Sequence, residues 1–387
     1  MKYKEHQFPI GIANLHPDGH LNMHLNWALA VGLIKKEGIE QVVPRIKNLK
    51  DGKIAMLKCA EEALKEHRIE EAAYFHRFAE FFTSAKDVDK GKNFSKFIEL
   101  FYSIEASKEI ETFEIPYEDY HLRAVHLKPE IDVKGQIVYF GGSDSVLEDF
   151  LAITFYLVKA GYEIFLFEGP GQGEALFKYG KPFIVEWEKP VKAVLDFFDL
   201  DDVTLIGTSF GGWLVLRAAA FESRVSRVIA FDIFYDFYEC FFSKKNFLAR
   251  SIFKSLLKIR ASFLLNALVK RQMRKDFTID WLVNFGAYIN GVNTPYEYFK
   301  QTGRYNVKNH KPSQITQDVL LLAGEEDHFI PPHLLKKQKE VLTNARSVTC
   351  RLFTKEEHAE LHCQVGNMKL ALDVIKDWIE EKTHTKL

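Results

Sequence analysis

The chain of 387 residues is longer than one ordinary domain, and 47% hydrophobic residues with 33 Phe make it far too apolar for a disordered protein. Lys plus Arg (52) nearly cancels Asp plus Glu (53), leaving a net charge of −1 and, at the level of composition, no basic block of the kind that tracks phosphates; nucleic acid is not an expected partner. The opening MKYKEHQFPIGIANLHPDG lacks the apolar centre of a signal peptide, and no later stretch reaches the ~18 apolar residues of a membrane span, which points to a cytoplasmic protein without a membrane partner.

From about residue 20 to residue 108 the apolar positions recur at helical spacing: Leu21, Leu25, Ala28 and Leu33, then AMLKCAEEALKEHRIEEAAYFHRFAEFF, then FSKFIELFYSI. No second copy appears at a fixed period, so the pattern predicts a helical N-terminal cap domain over 1–108 and not a solenoid. Over 109–387 strands alternate with helices, the pattern of a mostly parallel sheet covered on both faces. The predicted strands are ETFEIPY, YHLRAVHL, GQIVYF, YEIFLF, DVTLIG, RVIAFD, DVLLLAG and SVTCRLF, several of them continuous apolar runs. Between RVIAFD and DVLLLAG lies a mostly helical excursion far longer than a connection needs, read as a lid insertion over about 236–312. Cys59, Cys240, Cys350 and Cys363 are widely scattered, which argues for reduced thiols and against a disulfide framework or a zinc knuckle.

Chemistry concentrates at the ends of the predicted strands. In LIGTSFGG, Gly207, Ser209 and Gly211 form G-x-S-x-G between an apolar strand and the helical run WLVLRAAAF. A strand-to-helix turn this sharp exposes its central serine as a nucleophile, and the amide of Phe210 at the helix start is placed to stabilise an oxyanion. Upstream, QIVYFGGSDS ends a strand with Gly141 and Gly142, and the amide of Gly142 or Ser143 is the expected second oxyanion donor. FEGPGQGEAL has neither the lysine of a P-loop nor a dinucleotide-binding spacing, and reads as a tight turn beside the site.

A serine hydroxyl needs a base, and the base an acid, in the chain order Ser, Asp or Glu, His. DVLLLAGEEDHFIPP supplies Asp327 as that acid, with Glu325 and Glu326 as solvated neighbours. TKEEHAELHCQVGN supplies His358 and His362; HAELH lacks the glutamate placement of H-E-x-x-H, so no metal is expected. His362 is the expected base, because the last helix is predicted to begin soon after Cys363 and its dipole would keep the imidazole neutral, whereas His358 sits in a polar loop among Glu356, Glu357 and Glu360.

The stretches GGSDSVLEDF, EGPGQGE, GTSFGGWLVLRAAAFE, WLVNFGAYINGVNTPYEY and LHCQVGN, in that order, resemble the α/β-hydrolases that include 2,6-dihydroxypseudooxynicotine hydrolase and the fungal polyketide chain-shortening hydrolases. More distantly the chain is similar to the fermentation-respiration switch protein family and to bacterial esterases. The resemblance spans roughly 110–385 and implies the α/β-hydrolase fold with a helical N-terminal region. In the family the histidine lies in Glu-His-Cys-Gln; here Leu361 replaces the glutamate before His362, Cys363 and Gln364. It implies hydrolysis of a carbon–carbon bond next to a ketone in an aromatic or polyketide-like small molecule, with an acidic residue beyond the strand before the lid assisting; Glu239 is the nearest position. It further implies homodimers formed through the helical parts, a point on which the residues themselves are silent. A carboxylesterase would share all three catalytic residues, and a non-catalytic binding protein could reuse the fold. The leading expectation is a cofactor-free serine hydrolase that works through an acyl-enzyme.

Overall fold

Apolar runs with turn formers at their ends give the buried central strands of one eight-stranded sheet, whose edges β1 and β8 are less buried: β1 (Thr112–Tyr117), β2 (Tyr120–Leu127), β3 (Gly135–Phe140), β4 (Tyr162–Phe167), β5 (Val203–Thr208), β6 (Val225–Phe231), β7 (Asp318–Gly324) and β8 (Ser347–Phe353). The strand order is β1-β2-β4-β3-β5-β6-β7-β8, and β2 alone runs against its neighbours. β5 and β7 are buried at every position, as central parallel strands covered on both faces must be. This computed structural model describes residues 6–40, 42–85, 87–107, 110–243 and 245–384; the boundary expected between 108 and 109 lies outside the described residues.

Helices of eight residues or more are numbered in chain order: α1 (Gly19–Ala30), α2 (Leu49–Lys65), α3 (Ile69–Phe82), α4 (Asp89–Ser103), α5 (Leu151–Lys159), α6 (Glu188–Phe197), α7 (Gly211–Ala219), α8 (Phe247–Lys258), α9 (Ser262–Met273), α10 (Phe277–Ile289), α11 (Pro295–Thr302), α12 (His333–Val341) and α13 (Met368–His384). Side chains alternate along each strand and so divide the core in two. Ile137 and Tyr139 of β3 face a layer holding α5, α13 and the N-terminal helices, while Val138 and Phe140 face α6, α7 and α12.

The N-terminal layer has local causes. Asp18 caps α1 by accepting the Leu21 amide at 2.9 Å, and Asn48 caps α2 through the Asp51 amide. α2 buries Met56, Cys59, Ala60 and Ala63, a stripe at i, i+3, i+4 and i+7 that packs on α3. Between β6 and β7 the chain leaves the sheet for α8 to α11, which hold a small core of their own around Leu265, Val269, Val283, Tyr298 and Phe299. α11 begins with a capping box in which Thr294 and Glu297 satisfy each other's amides.

Candidate active site

Ser209 stands between the end of β5 and the start of α7, with a φ of +59°, a left-handed conformation that costs a non-glycine residue energy. Its amide donates to the Phe231 carbonyl at 2.6 Å, which pins the turn to β6. A Cβ on Gly207 would lie 2.3 Å from the Gly211 carbonyl oxygen, so the strand can meet the helix this closely only through glycine. The turn presents the Ser209 hydroxyl to a cavity at the strands' carboxyl ends.

The Ser209 hydroxyl donates to His362 Nε2 at 2.8 Å, and His362 Nδ1 donates to Asp327 Oδ2 at 2.7 Å. The other Asp327 oxygen accepts the amides of Phe329 (2.7 Å) and Ile330 (2.9 Å), which fixes the carboxylate beyond the end of β7. Burial alone would raise Asp327, but the neighbouring imidazole outweighs it and holds the carboxyl below its usual range. Burial alone would likewise depress His362; the Asp327 carboxylate outweighs that and holds the imidazole well above its ordinary value.

That outcome corrects the expected helix-dipole effect on His362. α13 begins only at Met368, because Cys363 and Gln364, within the short 3-10 turn His362–Gln364, both take left-handed φ values (+52° and +49°) and break the helical course there. The direct carboxylate partner decides the sign. His358 is exposed in the preceding loop and does not converge on the site with His362.

Asp232, the residue after β6, is fully buried. Its oxygens accept the Cys363 amide (2.8 Å) and the Gln364 side-chain amide (2.7 Å), and it lies 3.5 Å from His362 Nδ1. It therefore braces the left-handed turn that carries the histidine. Burial, reinforced by the charge of Asp327, pushes Asp232 up to about 7. Asp232, His362 and Cys363 bring three donor atoms within 4.8 Å, but the two carboxylate oxygens and Nδ1 are engaged in the bonds just given, and burial keeps the Cys363 thiol protonated, pushed up to about 11.

The loop after β3 faces Ser209. A Cβ on Gly142 would stand 2.9 Å from the Phe210 nitrogen, so glycine lets the two loops touch. The Gly142 amide itself donates to Ser145 Oγ at 2.7 Å. Among the described residues no group takes the amide hydrogens of Phe210 or Ser143, so of the two donors expected on this loop the free one is Ser143. Gln172, from the glycine-rich turn after β4, donates to the carbonyls of Gly141 and Gly142 at 2.8 Å each and accepts the Gly169 amide at 2.9 Å. Sequence reading placed that turn beside the site without finding the brace; a lone buried amide among glycines was the available signal.

The cavity measures about 750 Å³ and is mostly apolar, closed by α1 and α3 on one side and by the lid on the other. Phe237, Phe241, Trp281, Phe285 and Phe329 line it. The structure does not bring Glu239 to it: that carboxylate points away and pairs with Lys337 at 3.2 Å, while its neighbour Cys240 faces the cavity. Two residues absent from the sequence reading line the cavity one aromatic ring away from the relay, His20 packing on Phe329 at 5.2 Å and Phe329 on His362 at 5.0 Å. His20 is buried with neither ring nitrogen bonded, and His24 keeps Nε2 unbonded while Nδ1 lies 3.4 Å from Asp144. Burial, helped by the surrounding histidines, holds His20 well below its ordinary value and His24 down to about 3, so both imidazoles are neutral. His20 offers one donor and one acceptor to the cavity, and His24 offers Nε2.

Residues 140–359 match the alpha/beta hydrolase fold family. The hydrolyase poxO of Penicillium oxalicum (strain 114-2 / CGMCC 5302) is 26% identical over 252 residues, covering 58% of this chain and 57% of that protein. The 20-hydroxy-prefusarin hydrolase FUS2 of Gibberella moniliformis (strain M3125 / FGSC 7600) is 28% identical over 249 residues, with the same two shares, 58% and 57%. The chain thus spans somewhat more than half the length of these curated relatives. Among solved structures, the 2,6-dihydroxy-pseudo-oxynicotine hydrolase superposes with a TM-score of 0.63 over 92% of this chain and 94% of its own, at 18% identity. AbyA5 superposes with a TM-score of 0.64 over 90% of each chain, also at 18% identity. At that identity the two structures establish a shared fold.

Proposed function

The chain belongs to the α/β-hydrolase family, and from that premise we propose that it is a serine hydrolase that opens a carbon–carbon bond next to a ketone in a bulky, largely apolar small molecule. The observation that carries this reading is the continuous relay from Ser209 Oγ through His362 to Asp327, at 2.8 and 2.7 Å, opening on an apolar cavity of about 750 Å³. In this reading Ser209 attacks the ketone carbon while His362 Nε2 takes its proton. The amides of Phe210 and Ser143 hold the oxyanion. A second carbonyl β to the one attacked lets the leaving carbon depart as an enolate, which receives the proton from the imidazolium; water activated by His362 then releases the acyl group from Ser209. No step calls for a cofactor.

The cavity supports the size and polarity of the substrate. Its volume lies within the range for drug-sized ligands, and its aromatic walls favour a ring-bearing or polyketide-like body. The unbonded nitrogens of the neutral His20 and His24 on the cavity wall near His362 would be matched by a hydroxyl or carbonyl oxygen, since leaving such buried groups unbonded costs about 1–3 kcal/mol each. The relatives' names agree with oxygenated substrates: one acts on 20-hydroxy-prefusarin, and one structural neighbour on 2,6-dihydroxy-pseudo-oxynicotine.

A serine-reactive fluorophosphonate tests the nucleophile. Stoichiometric labelling of the wild type and none of Ser209→Ala is expected, with turnover falling on the order of a thousandfold or more in a variant that stays folded. Absence of labelling would favour a binding protein on the same fold. Phenyl β-diketones assayed beside p-nitrophenyl esters test the bond: rapid ester turnover with every diketone untouched would make the protein a carboxylesterase.

A further inference from the structure

The helical hairpin α8–α9 serves no step of the chemistry proposed above. Between Glu239 and Asp276 the sequence holds ten Lys and Arg residues and no Asp or Glu, in a chain whose net charge is −1. Positive charge is therefore concentrated on the lid and the remainder is acidic overall, a polarity that the whole-chain totals conceal. α8 buries none of its residues. Leu248 and Ile252 lie one turn apart along it and Ile259 follows its end, all exposed, and Leu264 and Leu268 lie one turn apart on α9, also exposed. Phe247 is 84% exposed and Phe263 81%. Only Leu265 and Val269 of α9 are buried, against Val283, Tyr298 and Phe299, so the hairpin is held by one edge and displays the rest. Single exposed leucines are ordinary, but this many large apolar side chains on one hairpin mark a surface that is covered in use.

We propose that this hairpin docks on the surface of an anionic lipid bilayer, its phenylalanines and leucines among the acyl chains and its lysines and arginines against the headgroups. Charge selects this occupant. A second copy paired through the same hairpin would set one strongly positive face against another, and a nucleic acid would leave the exposed Phe, Leu and Ile unburied. The two helices, of 12 residues each, are too short to span, and no helix among the described residues is long and apolar enough to do so; the hairpin would lie in the interface. The proposal departs from the composition-level expectation of no membrane partner. Docking would also place the site usefully, because Lys245, just before α8, and Asp276, just after α9, line the cavity. An apolar substrate concentrated in the bilayer would meet the cavity at its rim.

Cosedimentation of the full chain with phosphatidylcholine vesicles, with and without phosphatidylglycerol, tests the proposal. Phosphatidylglycerol should raise the bound fraction constant by at least about tenfold, an effect weakened by added salt. Two variants separate the contributions: Phe247→Ser, Leu248→Ser, Phe263→Ser and Leu264→Ser together, and Lys258→Glu, Arg260→Glu, Lys270→Glu and Arg271→Glu together. All eight side chains are exposed, so circular dichroism and the thermal midpoint should not change while vesicle binding is lost in both. No binding by the wild type, or binding retained in both variants, overturns the proposal. So does a hairpin-dependent dimer, or duplex DNA binding, in a protein that leaves the vesicles unbound.

Discussion

The reactivity of Ser209 turns on whether His362 Nε2 is free to accept a proton. Asp327 holds the imidazole well above its ordinary value, so the protonated form is favoured and the base is released only as pH rises. The acid limb of kcat/KM should therefore lie above the ~6.5 of a free imidazole. Asp327→Asn removes the largest influence that raises the imidazole; the limb should move to lower pH while the plateau falls on the order of 10⁴-fold, because the tautomer is no longer fixed. A limb that stays in place would show that another group sets it. His362→Gln should abolish activity, and His358→Gln, exposed and outside the site, should cost at most about tenfold, or ~1.4 kcal/mol. Measuring both on one substrate ranks them, and Glu239→Gln, paired with Lys337 away from the cavity, should be without effect. Ser209, Asp327 and His362 each stand out in the sequence because each follows a strand in a fixed chain order. Asp232, Gln172 and His20 do not. Their work is done on partners far along the chain, such as Gln364 for Asp232, and no local pattern records it.

Elements were easier to read than their arrangement. All eight strands are legible between turn signals, several of them as apolar runs, yet the order β1-β2-β4-β3-β5-β6-β7-β8 is not written in any periodicity. The start of α13 was misplaced for a physical reason: the left-handed turn at Cys363 and Gln364 contains no glycine to signal it, being held by Asp232 from across the sheet. The strand-to-helix turn at Ser209 is the opposite case, since its glycines are demanded locally. Gly207→Ala would drive a Cβ to 2.3 Å from the Gly211 carbonyl, a backbone atom that cannot swing aside. We expect the variant to lose about 3 kcal/mol in urea unfolding, the upper end of ordinary overpacking, and to lose phosphonate labelling with it as Ser209 leaves line with His362. Full labelling at undiminished stability would mean that the turn has slack the geometry does not display.

The molecule as a whole works only if its N-terminal helices, lid and sheet close on one cavity, and two residues carry much of that closure. Arg77 of α3 donates to the Asp144 carbonyl at 2.6 Å and to Asp149 at 2.9 Å, tying the helical layer to the loop beside Ser209. Trp281 of α10 ties it to the lid. Its ring stacks on Phe81 of α3 at 4.7 Å and on Phe285 at 4.9 Å, and packs against His20 of α1 at 4.7 Å, while its indole N–H donates to the Phe81 carbonyl at 3.3 Å. It is 6% exposed and lines the cavity. Trp281→Ala removes these contacts and leaves a void that merges with the cavity, so the surroundings cannot collapse to fill it. The expected loss is about 3–5 kcal/mol, read as a lower urea midpoint with an unchanged slope. Binding should suffer separately from chemistry. Bulky aromatic ketones lose a wall and their KM should rise, whereas phosphonate labelling of Ser209 by a small probe should persist, because Trp281 makes no contact with the Ser209–His362–Asp327 relay. If the variant unfolds with the wild type, the lid and the helical layer are braced elsewhere; if labelling vanishes with stability intact, the cavity wall and the nucleophile are coupled more tightly than their contacts imply.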